Sequence, residues 1–429
     1  MKRFDVVRFL LVVFAVLAGL GLIGMLAIQA YGARQLADAS RRYEREVGPL
    51  TVRAFVRPKV AVEQNAATWQ RPGVLAVVLF PGDQALVGSL SAKRFAAWTA
   101  EETAGIAAIL ERNRPAIELL ERARRMKASN WEIPYEQGTT AKLPNLLAAM
   151  DAAKLLVARG RLALGRGDRE TAMASAETVG ALSRSHEAES VAIVLMIGLA
   201  IEKLHIGLVH ELATSELTTP QELDRLEASM CDENLTRAVR QSLRGNAAAI
   251  AHDVDSASTA SEIHGVIHRS IYRALRKLVA AAVIESHQSA EKRFGEPVQT
   301  PAGDSDEENR KGGWWKHVIS VYGANFESVS ARATATASAR DLARLAIALR
   351  REALAAGRYP ERLPTIAGVS ANDPLTGAPR VYEVRADGSA ELRSTATLEI
   401  VRSVAPDGQG FFESLYRFTL PAPRGRSLT

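Results

Sequence analysis

Two histidines have the spacing that comes closest to a metal site. His264 and His268 are four residues apart in a helical pattern, which places two imidazoles on one face of a helix. No glutamate stands between them in the HExxH arrangement, so a third ligand would have to come from Asp253 or Asp255. We interpret the two histidines as a surface pair beside an apolar stripe, and the sequence predicts no metal ligands.

Other arrangements for catalysis are not found in the sequence. His205 and His210 diverge by ~140° around a helix, because successive residues are ~100° apart. Cys231 is the single cysteine, which excludes a disulfide within the chain, and it lies in no known signature. There is no G-x-S-x-G elbow, Walker loop or G-x-G-x-x-G motif. We expect no enzyme activity, no catalytic residues and no cofactor, although distant residues could still assemble a site.

Two aromatic segments are candidates for contact with a partner or a membrane surface. Trp131 and Tyr135 lie in an irregular connection between helical patterns. Trp314 and Trp315 follow a charged segment and have basic neighbours. Tryptophan beside cationic residues suits a lipid headgroup layer or a protein partner. The alternative for Trp314 and Trp315 is packing beneath the charged segment.

The composition describes a large folded chain. Its 429 residues are 47% hydrophobic and 24% charged, which suits a globular protein of more than one folded unit. The net charge of +6 is spread along the chain, without the concentrated basic stripe of a nucleic-acid-binding protein. We therefore expect no nucleic-acid partner.

The N-terminal region contains a candidate membrane span. Phe9–Ile28 is a run of twenty residues without a charge, enough to cross a hydrocarbon core of ~30 Å at ~1.5 Å per residue. The run is longer than the ~7–15 residues of a signal peptide, which favours an uncleaved anchor. Cleavage near Ala30-Tyr31-Gly32 is the alternative. Basic residues flank both ends, and we place the short N-terminus in the cytoplasm because it resembles a signal sequence.

The remaining pattern predicts a mainly α protein with a small C-terminal α+β module and an antiparallel sheet. The predicted divisions are an anchor (1–30), a stem and short mixed segment (31–90), a helical-hairpin domain (91–295), a flexible charged insertion (296–316) and a helix with a small sheet (317–429). Within residues 51–90, the rough alternation from Thr51 to Val56 and the apolar run from Val74 to Phe80 are strand candidates, although a short buried helix fits the second run nearly as well. Val191 to Ile201 is too short for a second span.

The C-terminal module is expected to contain four short strands. The candidates are Arg380–Val384, Glu391–Arg393, Leu398–Val404 and Leu415–Leu420. Turn sequences such as Asp-Pro and Asp-Gly separate them. We expect Gly357 to end the preceding helix in the left-handed region, with the ring of Tyr359 packed on the sheet or on that helix.

Two parts of the chain resemble known families. Residues 143–185, with ALGRGD followed by Ala172 and Ala176, resemble one tetratricopeptide-type hairpin, which implies close helix packing at Ala163 and Ala172. Leu342 to Thr397 carries LARLAIALRREALAAGRYPERL, DPLTGAP, RVYEV and ADGSAEL, and SVAPDGQG follows. This second segment is similar to the C-terminal half of type II secretion major pseudopilins. It also resembles uncharacterised single-span bacterial membrane proteins with a helical middle domain.

The pseudopilin-like resemblance implies the fold of one module only. Arg8-Phe9-Leu10 lacks the Gly and Glu of a pseudopilin processing site, and Asp407 stands alone where a calcium loop would need several carboxylates. The N-terminal span, with its signal-like tail in the cytoplasm, and the resemblance to single-span bacterial membrane proteins together lead us to expect a single-pass protein of the bacterial inner membrane, with most of the chain outside the cytoplasm. We expect a binding or scaffold protein of the cell envelope, linked to secretion or envelope assembly, with the bilayer and an envelope protein as partners. The alternative is an envelope hydrolase with its site between the helical domain and the sheet.

Overall fold

The N-terminal helix extends well beyond the apolar segment. In the computed structural model, which describes residues 2–230, 235–255, 266–293, 326–404 and 415–423, helix α1 runs without interruption over Lys2–Glu46. Large apolar side chains from Phe9 to Ile28 are exposed on all faces of α1, as expected of a helix that contacts lipid. Gly48, at φ 142°, follows the end of the helix. The chain therefore has an N-terminal helix long and apolar enough to span a membrane.

Helices form most of the region between this helix and the sheet, as predicted. They are α2 (Ala66–Leu75), α3 (Pro81–Leu90), α4 (Ala100–Arg112), α5 (Arg114–Ala123), α6 (Leu146–Gly165), α7 (Arg169–Glu187), α8 (Ala192–Ala213), α9 (Pro220–Ser229), α10 (Leu235–Asp255), α11 (Val266–Arg293) and α12 (Phe326–Ala356). Capping boxes begin α4 at Thr99 and α9 at Thr219, where the side chain of a glutamate three residues later bonds back to the cap. Local sequence thus determines where these helices begin.

The strand interpretation of residues 51–90 is wrong. This segment forms short 3-10 turns (Val52–Phe55, Val62–Gln64) and helices α2 and α3. The apolar run from Val74 to Phe80 is divided between the end of α2 and an extended link. Within the link, the amide of Val78 donates to Asn113 Oδ1 (2.7 Å) and its carbonyl accepts from Asn113 Nδ2 (3.0 Å). One buried side chain thus supplies the hydrogen bonds that a neighbouring strand would have supplied.

Helices α6, α7 and α8 form the centre of the helical region. Asp168 caps α7 by accepting from the amide of Thr171 (3.0 Å), and Ala163 and Ala172 are buried on either side of this turn. Helix α8 passes the length test for a membrane span, but 72% of its apolar window is buried inside the protein. It is therefore a core helix, which confirms that Val191 to Ile201 is no second span.

The C-terminal module contains a three-stranded antiparallel sheet. Strands β1 (Val381–Val384), β2 (Ala390–Arg393) and β3 (Arg417–Leu420) lie in the order β1-β2-β3. The strand predicted at Leu398–Val404 is wrong, because these residues form helix α13. Thr397 begins it by accepting from the amides of Ile400 (3.3 Å, to Oγ1) and Val401 (3.1 Å, to the carbonyl). A short apolar run between turn residues fits either structure, and the cap determines the outcome.

Helix α12 joins the sheet to the helical region through one continuous core. Apolar residues of α8, α9, α12 and the sheet share this cluster, and the ring of His210 lies 4.3 Å from that of Phe418. Gly357 follows α12 at φ +72°, and Tyr359 is buried in the same cluster, as predicted. The hydroxyl of Tyr359 donates to the carbonyl of Pro421 (2.8 Å) and ties the helix end to the residues after β3.

Candidate functional site

The aromatic residues proposed for surface contact are buried where the structure describes them. Trp131 is 3% exposed and Tyr135 is 6% exposed. The Tyr135 hydroxyl donates to Glu189 (2.9 Å) and accepts from the amide of Ser190 (3.0 Å), while the amide of Trp131 donates to Glu189 (3.1 Å). Burial raises the pKa of Tyr135. The Tyr135 hydroxyl and the Trp131 amide therefore bond to one buried carboxylate, and the Trp131 ring lies 5.0 Å from that of His186. Trp314 and Trp315 lie outside the described residues.

The histidines are not brought together. His205 and His210 on α8 are both buried, and they point to different partners, Ser229 and Phe418. His268 lies in α11, whereas His264 is outside the described residues. Among the residues that the structure describes, no group of three His, Cys, Asp or Glu side chains could hold a metal ion.

The strongest candidate site is a cleft of about 870 Å³ on the surface of the helical region. We call it the basic cleft. Its walls come from the segment after α5, from one face of α7, from the end of α9 and from the chain before α2. The charged residues that line it are Arg57, Arg124, Arg125, Lys127, Arg184 and Arg225, with Glu170 and Glu177. Cations thus outnumber carboxylates in the walls by six to two.

Both carboxylates of the basic cleft form ion pairs with Arg225. Arg225 pairs with Glu170 (2.6 Å and 3.0 Å) and with Glu177 (2.7 Å). Its guanidinium holds the pKa of Glu170 below the usual range. Arg124 lies 3.7 Å from Glu177 and adds a second cation on the same side. The two glutamates are thus balanced by Arg225 and Arg124, and Arg57 pairs with the buried Glu189 (2.9 Å). Arg125, Lys127 and Arg184 form no ion pair within the described ranges and leave the cleft positively charged.

Two exposed cations at the rim have no acidic neighbour. Arg125 and Lys127 are exposed, and within the described ranges neither forms an ion pair. Ser129, two residues further on, is 8% exposed and lines the same wall, and its buried Oγ has no hydrogen-bond partner in the described part of the chain. Guanidinium, ammonium and hydroxyl donors together suit an anionic ligand that carries several oxygen atoms.

A buried serine, histidine and glutamate form a hydrogen-bonded relay at the wall of the basic cleft. Ser229, which lines the cleft at the end of α9, has its Oγ 3.0 Å from His205 Nε2. His205 Nδ1 lies 3.3 Å from Glu202 Oε2, one turn earlier on α8. Gly180 of α7 permits this approach, because a Cβ there would lie 2.3 Å from the carbonyl oxygen of Ser229. The Ser229 hydroxyl donates to the carbonyl of Leu226 (2.7 Å), so its Oγ accepts from His205 Nε2 in this arrangement. Transfer of the serine proton to the histidine would require the hydroxyl to turn away from Leu226.

An ion-pair cluster lies behind the relay. Arg340 of α12 donates to Glu202 (3.1 Å) and binds both oxygens of Glu187 (2.8 Å and 2.9 Å). Burial alone raises the pKa of Glu202, but Arg340 and His205 outweigh it and lower that pKa to about 2. Glu202 is therefore an ionised carboxylate that holds both the arginine and the histidine.

Sequence reasoning missed the basic cleft and the relay. The run RARRMK at residues 122–127 was the one local signal for the cleft. The other cations come from positions far apart in the chain, and the relay joins α8 to a serine 24 residues away from His205. Comparison of the chain with protein-family models, with curated proteins and with solved structures finds no match. Function is therefore argued from this geometry.

Proposed function

We propose that the protein is a single-pass, membrane-anchored binding protein of the bacterial cell envelope, and that its basic cleft binds an acidic segment of a partner protein. Helix α1 supplies the anchor, with the helical region and the sheet on the outer side of the inner membrane. The pseudopilin-like sequence of the C-terminal module supports a role in secretion or envelope assembly.

The observation that carries this proposal is the charge of the cleft walls. Six cationic side chains and two carboxylates line the same space. Arg225, Arg124 and Arg57 are paired with carboxylates, and the other three cations form no ion pair within the described ranges. Cationic side chains that line one cleft repel each other, and an anion bound between them relieves this repulsion. The outcome is a site selective for negative charge.

The shape and the remaining walls favour a peptide over a small ion. A volume of about 870 Å³ is larger than a single phosphate needs, and the walls also contain Met126, Met230 and several alanines. Apolar surface between cations suits a chain that carries small apolar side chains among its carboxylates. Arginine can bind each carboxylate through two parallel hydrogen bonds.

The test is binding of a fluorescein-labelled decaglutamate peptide to the full chain in detergent, followed by fluorescence anisotropy. The double variant Arg125→Glu with Lys127→Glu reverses two exposed rim cations without breaking an ion pair of the described residues. We expect its affinity to fall by at least tenfold, about 1.4 kcal/mol. The affinity of the unaltered protein should also fall as salt rises, because exposed charges are screened.

The matched control makes the same change of charge elsewhere. Arg358 and Arg362 are exposed in the C-terminal module and do not line the cleft. The double variant Arg358→Glu with Arg362→Glu should keep its affinity within about twofold of wild type, because long-range charge effects are screened over ~8–10 Å. Equal losses in both double variants would mean that net charge, and not the cleft, attracts the peptide.

The relay favours ester hydrolysis as a second candidate function. The Ser229 hydroxyl would turn from the carbonyl of Leu226 and attack the carbonyl carbon of an ester while His205 takes its proton. The imidazolium, held by Glu202, would give this proton to the departing alcohol as the ester bond breaks, and water, deprotonated by His205, would then release the acyl group from Ser229. The sequence had suggested a hydrolase site between the helical domain and the sheet, but apolar side chains pack that boundary. The relay instead lies within the helical region, at the cleft wall.

A fluorophosphonate probe with mass spectrometry tests this second function. The probe labels a serine whose hydroxyl is activated by a base, and we expect the adduct on Ser229. Ser185 is the control, because both serines line the cleft and donate to a helix carbonyl (Ser185 to Leu182, 2.9 Å; Ser229 to Leu226, 2.7 Å). Ser229 differs in having His205 Nε2 at 3.0 Å. Labelling should disappear in Ser229→Ala and persist in Ser185→Ala. Absence of any adduct on Ser229 would count against the hydrolase and leave the peptide-binding proposal standing.

A further inference from the structure

Helix α11 runs beside α1 in the same direction. Three contacts set the register, namely Gly32 with Ala274, Arg42 with Glu285 and Glu46 with Gln288. A Cβ on Gly32 would lie 2.9 Å from the carbonyl oxygen of Ala274, so the two backbones approach closely at this level. Ala39 and Tyr43 are fully buried against Ala281 and Ile284 further along the same pair. The two helices therefore stay aligned with each other over four turns.

This register brings the start of α11 down to the level of the apolar segment. Val266 precedes Ala274 by eight residues, or ~12 Å of helix toward the N-terminal side. Gly32 follows Ile28 by only four residues, or ~6 Å. With the helices side by side, α11 begins ~6 Å below the end of the apolar segment. Met25 and Gln29 are half-buried among exposed neighbours, which fits a helix alongside them.

The sequence at the start of α11 suits a membrane interface. The first eight residues, VIHRSIYR, combine three aliphatic residues and a tyrosine with two arginines. Aliphatic and aromatic residues partition into the boundary between headgroups and acyl chains, and arginines bind anionic headgroups at the same depth. The segment therefore has the composition expected at the level where its register places it.

We propose that Val266–Arg273, the first two turns of α11, is a second membrane contact that binds anionic lipid headgroups of the leaflet from which α1 emerges. The inference rests on the membrane anchor of the proposed function and is independent of the basic cleft. The span in α1 and the start of α11 would then both bind the bilayer. Two neighbouring attachments hold the helical region close to the bilayer surface. Its ligand is the phosphate of an anionic phospholipid within the bilayer.

The test measures the depth of two serines of α11 in a bilayer. The full chain with Cys231→Ser is reconstituted into vesicles that contain anionic phosphatidylglycerol, and an environment-sensitive fluorophore is attached to a single new cysteine. Ser270→Cys lies in the proposed contact, whereas Ser289→Cys lies 19 residues, or ~28 Å, further along the same helix and is exposed. Lipids with a nitroxide quencher near the headgroup should quench the label at 270 at least threefold more than the label at 289.

The charge of the contact is tested separately. Arg269→Glu with Arg273→Glu should lower quenching at 270 at least twofold in anionic vesicles and leave quenching at 289 unchanged. Quenching at 270 that equals quenching at 289 would overturn the contact, and quenching at 270 that does not depend on anionic lipid would overturn headgroup binding. A label at Leu17→Cys reports the anchor itself. If acyl-chain quenchers leave it unaffected, the anchor and the contact both fail.

Discussion

Arg340 and Glu187 face each other across the interface between α12 and α7, with Arg340 Nη2 2.8 Å from Glu187 Oε2. The two residues are 153 positions apart in the sequence, and both side chains are almost completely buried. Arg340 also donates to Glu202, so one guanidinium bonds to two buried carboxylates. The cluster thus ties α12 to both α7 and α8 through buried charges.

Removal of the arginine from this cluster should destabilise the protein strongly. Arg340→Met leaves Glu187 and Glu202 buried without their cation, and we expect a loss of about 3–5 kcal/mol in the free energy of unfolding. Denaturant unfolding followed by circular dichroism measures it. Arg351→Met on the same helix is the control, because Arg351 is partly exposed and its pairs with Asp224 and Glu227 should contribute less than about 1 kcal/mol. Equal effects of the two substitutions would contradict a buried ion-pair cluster.

Two buried histidines should make the stability fall in mild acid. Burial lowers the pKa of His186 and of His287 from 6.5 to about 4. Since the unfolded state binds protons more readily between these values, stability is complete above pH 6.5 and is lost as the pH falls toward 4. The loss is at most about 3 kcal/mol for each histidine. Unfolding free energies measured at pH 7 and pH 4.5 check the direction.

A double variant, His186→Gln with His287→Gln, tests whether these two histidines cause the loss of stability in acid. Glutamine cannot take up a proton, so the double variant should lose less stability than wild type between pH 7 and pH 4.5, whatever its stability at pH 7. His252→Gln, at a half-buried position near the end of α10, is the control for removing a histidine without changing either buried ring. An unchanged slope in the double variant would show that other groups cause the acid sensitivity.

Asp373 should be the residue on which the C-terminal module depends most. Its buried carboxylate accepts from the hydroxyls of Ser338 (2.8 Å) and Ser394 and from the amides of Leu375 (2.9 Å) and Thr395 (3.1 Å). Asp373→Ala leaves these donors without an acceptor, and we expect a loss of about 3 kcal/mol or more.

The control and the readout for Asp373 use a second aspartate in a turn. Asp387, in the β1-β2 hairpin, accepts from the amide of Ser389 (2.9 Å) and is exposed, so Asp387→Ala should destabilise the protein much less than Asp373→Ala. Limited proteolysis should show faster cleavage after residue 357 in Asp373→Ala than in Asp387→Ala. Similar digestion patterns would argue that the carboxylate does not hold the module together.

Gly357 allows a test of backbone conformation alone. A Cβ there would meet no atom within 4 Å, but φ is +72°, so Gly357→Ala should cost about 1–2 kcal/mol through the backbone. Gly88 in α3 also has open space, and its backbone is helical, so Gly88→Ala should stabilise by about 0.5–1 kcal/mol. Thermal melting distinguishes the two. If both substitutions shift the melting temperature in the same direction, the left-handed helix end at Gly357 is incorrect.

Local patterns predicted much of the fold and little of the candidate site. Helix positions follow from apolar periodicity and caps such as Thr99 and Thr219, which act within a few residues. The segments Val74–Phe80 and Leu398–Val404 were ambiguous, because short apolar runs fit helix or strand and the deciding bonds come from Asn113 and Thr397. The basic cleft and the Arg340 cluster join residues more than a hundred positions apart, which no local pattern records.

Because α1 packs against α11, the part of α1 that follows the apolar segment can be buried only after α11 has been synthesised. Arg42 and Glu285 are 243 residues apart, so α11 emerges from the ribosome long after α1. At ~5–20 residues per second the interval is ~12–50 s, far longer than a helix needs to form. During that time the side of the stem that carries Ala39 and Tyr43 has no partner from its own chain. Folding of the membrane-proximal base is therefore a late event in the synthesis of this protein.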